Sequence, residues 1–265
     1  MLTNVPATFR VGGVKISAVT PRTAIDHFFD LIAARQGGYV TVTSAHGVVE
    51  AQTDKDLARI LEGAVMALPD GMPIYWAGRC IHGHAMGRMP GTEFFEAILS
   101  DPRAGTVRHY FYGSHETTTK AVAERATVAS GAQAVAGWFC PPMRPAGAME
   151  DETVIASMQA SRPDVIWVGL STPKQEHFMA NHAKRFPNTI FVGIGAAFDF
   201  YAGIKDRGPQ MMSNSGFEWL YRLVSEPKRL WPRYRVVVPA MLSILVKDSV
   251  SRRARAGKGS ASAGG

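Results

Sequence analysis

Cysteine is nearly absent. Among 265 residues only Cys80 and Cys140 carry a thiol. That is too few for a disulfide framework and suits a reducing compartment. No Cys/His spacing matches a zinc site. The N-terminal stretch MLTNVPATFRVGGVKISAV lacks the apolar run of a signal peptide. Long hydrophobic runs are missing too. The longest strongly apolar stretch, residues 236–246, is about half of the ~20 residues a spanning helix needs, and it contains Pro239. No transmembrane helix is expected. The chain has no GxxxxGKS/T and no full GxGxxG opening a helix, so the P-loop and dinucleotide fingerprints are both wanting.

What is present suits a sizeable core. Apolar residues make up 46% of the chain, enough for one large α/β domain plus an appendage. The charge is uneven. Residues 201–265 hold 12 Lys/Arg and 4 Asp/Glu, whereas residues 1–200 hold 17 and 18. The surplus of +7 therefore belongs to the last quarter, which reads as a surface for an anionic partner: phosphate, membrane lipid or nucleic acid. Nucleic acid is the weakest of these. The cations lie among membrane-type apolar residues, and no helix-turn-helix or RNP signature occurs.

Buried-strand patterns fall at residues 39–43, 65–68, 109–112, 165–168 and 190–192. Helical spacing falls at residues 48–61, 117–129 and 151–160. Strands alternating with helices predict a Rossmann-like, mostly parallel sheet with helices on both faces. Four loops after these strands carry glycine: Pro69-Asp70-Gly71, Gly113-Ser114, Gly169 to Glu176, and Gly193 to Asp199. Ligands of open parallel sheets bind beyond the carboxyl ends of the strands, so one shared crevice is expected there. From about residue 216 the texture changes. An amphipathic segment ends near Pro227, and KRLWPRYR then interleaves cations with Trp231 and Tyr234. The expected division is a core at 1–208, a helical basic appendage at 209–250 and a disordered basic tail at 251–265.

Each candidate residue has a structural alternative. Gly113-Ser114 and Gly193-Ile194-Gly195 either make turns or let backbone N–H groups approach a pyrophosphate. Asp70 is a turn aspartate or a general base. Thr172 and Pro173 open a helix as N-cap and first residue, a role that explains neither Lys174 nor Gln175. Asp199 caps a helix or accepts ribose hydroxyls. Arg222, Lys228, Arg229 and Arg233 form a solvated face or bind diphosphate oxygens. Trp219, Trp231 and Tyr234 among them suit a membrane interface or a ligand cover. His46 and His177 are structural or acid–base groups.

Taken in order, SAHGVVEAQTDKDLARIL, ALPDGMPIYWAGR, GRMPGTEFF, FYGS, WVGLSTPKQEHFMANH, VGIGAAFDFYAG and FEWLYRLVSEPKRLWPRY resemble the WecG/TagA/CpsF bacterial glycosyltransferases. The resemblance implies a GT-E type core with a C-terminal appendage. It implies metal-independent, inverting transfer, with no cofactor, from UDP-N-acetylmannosamine or a related UDP-sugar. The acceptor would be a polyprenyl-diphosphate-linked saccharide in cell-surface polysaccharide assembly, with the enzyme held peripherally at the inner face of the cytoplasmic membrane. By the same resemblance Asp70 is the general base and Arg88 the arginine of the next block. Gln175 lies in the pocket, Asp199 meets the nucleotide ribose, and Arg222, Arg229 and Arg233 meet the diphosphate. Val42 and Ser44 stand where the family often has Thr-x-Asn, with Thr41 or Thr43 as substitutes on the other strand face. Glu93 replaces a usual Asp, and His46 stands near a common Glu or His position. The alternative function is a non-catalytic nucleotide-binding regulator of polysaccharide synthesis.

Overall fold

The apolar runs become strands of one sheet. The computed structural model describes residues 5–205, 223–224 and 227–262. A hairpin of β1 (Thr8–Val11) and β2 (Val14–Ser17) comes first. Then follow β3 (Gly38–Thr43), β4 (Met66–Pro69), β5 (His109–Gly113), β6 (Val135–Phe139), β7 (Val165–Gly169) and β8 (Ile190–Gly193). These six pair in the order β4-β3-β8-β7-β5-β6, every pair parallel. The sequence pattern anticipates five of them. It misses β6, an edge strand interrupted by Gly137 and only partly buried. The other edge, β4, is covered by the hairpin, where Ser17 Oγ accepts the Ala67 N–H at 3.0 Å. An edge N–H is thereby satisfied without a further strand.

Strand alternation sends Val40 and Val42 to one face and Tyr39, Thr41 and Thr43 to the other. The first face packs against α1 (Pro21–Ala33), α5 (Gly91–Ser100), α6 (Glu116–Ser130) and α9 (Ala197–Tyr201). Its centre is Trp167, fully buried among Phe28, Phe94 and Phe95. The second face packs against α7 (Glu152–Ala160) and α8 (Lys174–His182) through Met158, Phe178 and Met179. α1 begins with a capping box between Thr20 and Thr23.

The helical stretch at 48–61 is two helices, α2 (Ala45–Glu50) and α3 (Lys55–Gly63). Asp54 divides them. Its carboxylate accepts the N–H groups of Asp56 and Leu57 at 2.9 Å each, which starts a new helix. The short α4 (Met72–Trp76) follows β4 and runs into a π-turn at Ala77–Ile81.

The C-terminal helix, α10 (Pro227–Ser262), runs for 36 residues with Pro232 and Pro239 inside it. It continues past residue 250, to Ser262, into the segment assigned from sequence to a tail. Leu230, Val237, Met241 and Ile244 are buried among its described side chains. Met241 and Ile244 pack with Val11, Val14, Val48 and Ala51 of the hairpin and α2. Full burial of such a side chain contributes roughly 1.5–3 kcal/mol. Gly12 marks the closest approach. A Cβ there would stand 2.9 Å from Ile244 Cγ2, and its φ of 55° is left-handed, so only glycine fits both demands. Asp248 Oδ2 accepts the Gly12 N–H at 2.9 Å, and Arg252 Nη2 donates to His82 O at 3.1 Å. No helix among the described residues is long and apolar enough to cross a membrane.

Candidate active site

The carboxyl ends of the strands bring the predicted loops to one edge of the sheet. From β4 to β6 that edge presents Asp70, Ser44, the Gly193–Gly195 turn with Asp199, the Gly169 loop, Gly113-Ser114, and Cys140. With strands ~4.8 Å apart, the four steps from β4 to β5 span about 19 Å. An extended ligand laid across this edge meets Asp70 near one end and Ser114 near the other.

Asp70 sits in the loop from β4 to α4. Its N–H donates to Thr43 O at 3.0 Å, which ties it to the end of β3. The preceding Pro69 O accepts the Met89 N–H at 2.8 Å, so the Arg88 segment is laced to the same loop. Arg88 is largely buried and pairs with Glu93, Nη2 to Oε1 at 3.6 Å. Glu93, the departure from the usual Asp, thus still answers Arg88. The structure brings Asp70 and Arg88 into one corner of the crevice.

Asp199 occupies the first turn of α9. It does not cap that helix, whose cap position is Ala196. Its carboxylate accepts from Ser114 Oγ at 3.2 Å and pairs with Lys205 Nζ at 2.9 Å. Ser114 is held to face it. Gly113 has φ 120°, and a Cβ on it would be 2.8 Å from the Gly169 carbonyl. Ser114 itself sits at φ 57°. A non-glycine residue there is uncommon and strained. Its N–H donates to Gly169 O at 3.0 Å, and Cys140 Sγ donates to its carbonyl at 3.1 Å.

Three N–H groups of the glycine loops are engaged within the protein. The N–H of Ser114 is engaged by Gly169 O, that of Ile194 by Val168 O at 3.0 Å, and that of Gly195 by Gln175 Oε1 at 2.9 Å. These three groups hold the loops together.

Gln175 is buried, with its Cδ 3.1 Å from where a Gly193 Cβ would lie. Thr172 does not cap α8. The helix begins at Lys174 with Pro173 at the cap position, and the Thr172 hydroxyl donates to Glu176 Oε1 at 3.0 Å. Thr41 and Thr43 are sealed from solvent, their hydroxyls 3.2 Å apart. They lie beneath the crevice and do not line it. Val42 faces the opposite side, near Gly91 at the start of α5. Ser44 is half-buried at the start of α2.

His46 Nε2 lies 3.3 Å from Glu50 Oε2. Burial lowers its pKa, the charge of Arg233 lowers it further, and Glu50 opposes both. α10 therefore delivers Arg233 toward the β3 end of the crevice. Arg222 lies outside the described residues, and Arg229 is described in its backbone alone.

Sequence reasoning missed a cavity of about 320 Å³ beside Ser114. Its walls include Tyr112, Cys140, Arg144, Glu150, Leu170 and Lys174. Glu150 accepts from the Tyr112 hydroxyl and pairs with Arg144 Nη1 at 2.7 Å. Burial and that carboxylate push the Tyr112 pKa well above its usual value. The run after Cys140 is rich in proline, which is compatible with a loop but carries no trace of what it encloses.

Comparison with known proteins adds the family. Residues 9–255 match the model of the glycosyl transferase WecG/TagA/CpsF family. A protein of Bacillus subtilis (strain 168), named N-acetylglucosaminyldiphosphoundecaprenol N-acetyl-beta-D-mannosaminyltransferase, is 26% identical over 223 residues, which are 84% of this chain and 83% of that one. A protein of the same name from Bacillus spizizenii (strain ATCC 23059 / NRRL B-14472 / W23) is 26% identical over 219 residues, 82% of each chain. The family match spans both the sheet with its strand-end crevice and nearly all of α10, and on that extent the chain belongs to the WecG/TagA/CpsF family of glycosyltransferases.

Proposed function

We propose that this glycosyltransferase moves a sugar from a UDP-sugar of the N-acetylmannosamine type to a saccharide on a polyprenyl diphosphate, in cell-surface polysaccharide synthesis. The observation that carries the reading is the placement of Asp70 and Asp199 along one strand-end crevice that also opens on a cavity. The names of the two Bacillus relatives supply the sugar and the acceptor class.

The chemistry follows from the placement. An acceptor hydroxyl oxygen attacks the anomeric carbon, the bond from that carbon to the diphosphate oxygen breaks, and Asp70 takes the hydroxyl proton. UDP departs with the bonding pair, and the anomeric configuration inverts. Asp199, held by Ser114 and Lys205, accepts the ribose hydroxyls. The base extends toward the cavity beside Ser114. The leaving diphosphate is met by cations: Arg88 from the core and Arg233 from α10, with the same role assigned from the sequence to Arg222 and Arg229.

α10 also suits a membrane surface. Trp231, Val238, Leu242, Val246 and Val250 are exposed and recur at spacings of seven and four residues, on the side away from Leu230, Val237, Met241 and Ile244. Arg235, Lys247 and Arg253 are exposed along the same helix. An apolar stripe bordered by cations fits the interface of an anionic bilayer. The enzyme would then meet its lipid-linked acceptor from the inner face of the cytoplasmic membrane.

The test is UDP release from a panel of UDP-sugars with a short polyprenyl-diphosphate-sugar acceptor and EDTA throughout. Acceptor-dependent release from one donor is expected. UDP binding without release from any donor, across acceptors, would favour the non-catalytic regulator instead.

A further inference from the structure

The turn from β8 to α9 carries Gly195 and leads directly to Asp199. Its flanks are tied by backbone, the Ile194 N–H to Val168 O at 3.0 Å and the Ala197 N–H to Ile194 O at 3.2 Å. Gly195 between them has φ 56°. Its own N–H is held from α8. Gln175 Oε1 accepts the Gly195 N–H at 2.9 Å, and Gln175 Nε2 donates to Glu176 Oε1 at 3.0 Å. The Thr172 hydroxyl donates to that same oxygen at 3.0 Å. Thr172, Glu176, Gln175 and the Gly195 backbone thus form one chain of hydrogen bonds.

An amide is two-faced. Its oxygen and nitrogen differ little in shape, so its orientation is set by what each end meets. Here an acceptor at one end dictates that the nitrogen faces Glu176 and the oxygen faces Gly195. Remove that acceptor and the amide is at liberty to rotate away from the turn. We infer that Glu176 is a positioning residue, which orients the Gln175 amide and through it the Gly195 turn that presents Asp199 to the nucleotide. This rests on the UDP-sugar reading above.

The carboxyl is placed in an unusual way for a residue with only a packing role. Glu176 is 2% exposed, and its Oε2 has no hydrogen-bond partner among the described residues. Burial raises its pKa, with the bonds from Gln175 and Thr172 and the charge of His177 opposing. The neutral acid meets the requirement, since its carbonyl oxygen accepts from both Gln175 and Thr172. A glutamine at this position offers the same carbonyl; a methionine fills the space without an acceptor.

The experiment compares the wild type with Glu176→Gln, Glu176→Met and Thr172→Val. It measures UDP affinity by calorimetry and the melting temperature of each variant. Loss of the acceptor in Glu176→Met is expected to weaken UDP binding about tenfold, with Glu176→Gln within about threefold of wild type and Thr172→Val weaker by about threefold. Wild-type affinity in Glu176→Met would overturn the inference. So would a loss in Glu176→Gln equal to that in Glu176→Met, because a residue needed only for packing has no reason to be rescued by an amide. Should Glu176→Met not fold, Thr172→Val decides: weaker binding supports the positioning role, and unchanged binding overturns it. A wild type that does not bind UDP would overturn the donor reading and this inference together, whereas unchanged variants of a UDP-binding wild type overturn the inference alone.

Discussion

Two aspartates stand beyond strand ends of the same sheet, and the chain surrounds them differently. Asp199 is gripped by side chains: the Ser114 hydroxyl on one carboxylate oxygen and the Lys205 ammonium on the other. The main chain of Asp70 is tied through its own N–H to Thr43 O and through the Pro69 carbonyl to the Met89 N–H. The proposed roles give the proton to Asp70 and the ribose to Asp199, and each assignment breaks in its own way.

The largest effect is expected at Asp70. General-base action contributes about 100- to 10,000-fold. Asp70→Asn should lower kcat by that order and leave the Kd for UDP within about twofold, since asparagine is nearly the same shape and retains the backbone bonds of the loop. Turnover kinetics beside calorimetry separate the two quantities. Normal kcat in this variant would remove Asp70 from the mechanism.

Asp199 should show the converse. Losing hydrogen bonds to a charged group costs about 1.5–3 kcal/mol, so Asp199→Ala should weaken UDP binding about 10- to 100-fold. At saturating donor its kcat should fall far less than that of Asp70→Asn. If both variants lose turnover and keep affinity, the division of labour between the two ends of the crevice is wrong.

How much of this was legible in the sequence depends on where the partners lie. β4, β5, β7 and β8 announce themselves because strands buried on both faces read as nearly continuous apolar runs, and β3 through its β-branched alternation. β6 does not, because an edge strand half-exposed and broken by Gly137 has no such run. The division of α2 from α3 was hidden by apolar spacing that continues across it, although Asp54 is an evident cap once helix starts are sought. Asp70, Arg88, Gln175 and Asp199 are proposed from motif blocks, which record residues and not partners. That the loop N–H groups are engaged, that Thr41 and Thr43 lie beneath the crevice, and that Glu176 closes a chain to Gly195 all depend on register between strands far apart in sequence. Thr41 opposes Gly193 in β8, for instance, and local pattern carries no trace of that pairing.

A third, smaller effect belongs to α10, where a buried and an exposed apolar face lie on one helix. Burial of one aliphatic side chain is worth about 1.5–3 kcal/mol, so Leu242→Asp should reduce partition onto anionic vesicles about tenfold or more. UDP affinity in solution should not change, because Leu242 points away from the packed face. Flotation with vesicles and calorimetry without them test the two halves of that statement. Unaltered partition would leave the exposed stripe without its proposed role.

The smallest effect expected is also the most discriminating for the Asp199 end. Ser114 is held at φ 57° while its hydroxyl reaches Asp199. Ser114→Gly relieves the backbone and removes the hydroxyl at once. Glycine at a left-handed position is favoured over a residue with a Cβ by about 1 kcal/mol, so the variant should melt a few degrees higher. Loss of one hydrogen bond of about 0.5–1.5 kcal/mol should weaken UDP binding roughly threefold. Stability and affinity then move in opposite directions, as expected where strain is retained for a functional contact. A variant that gains stability and keeps its affinity would show the strained serine to be unconnected with the nucleotide, and Lys205 would be left as the side chain that fixes Asp199.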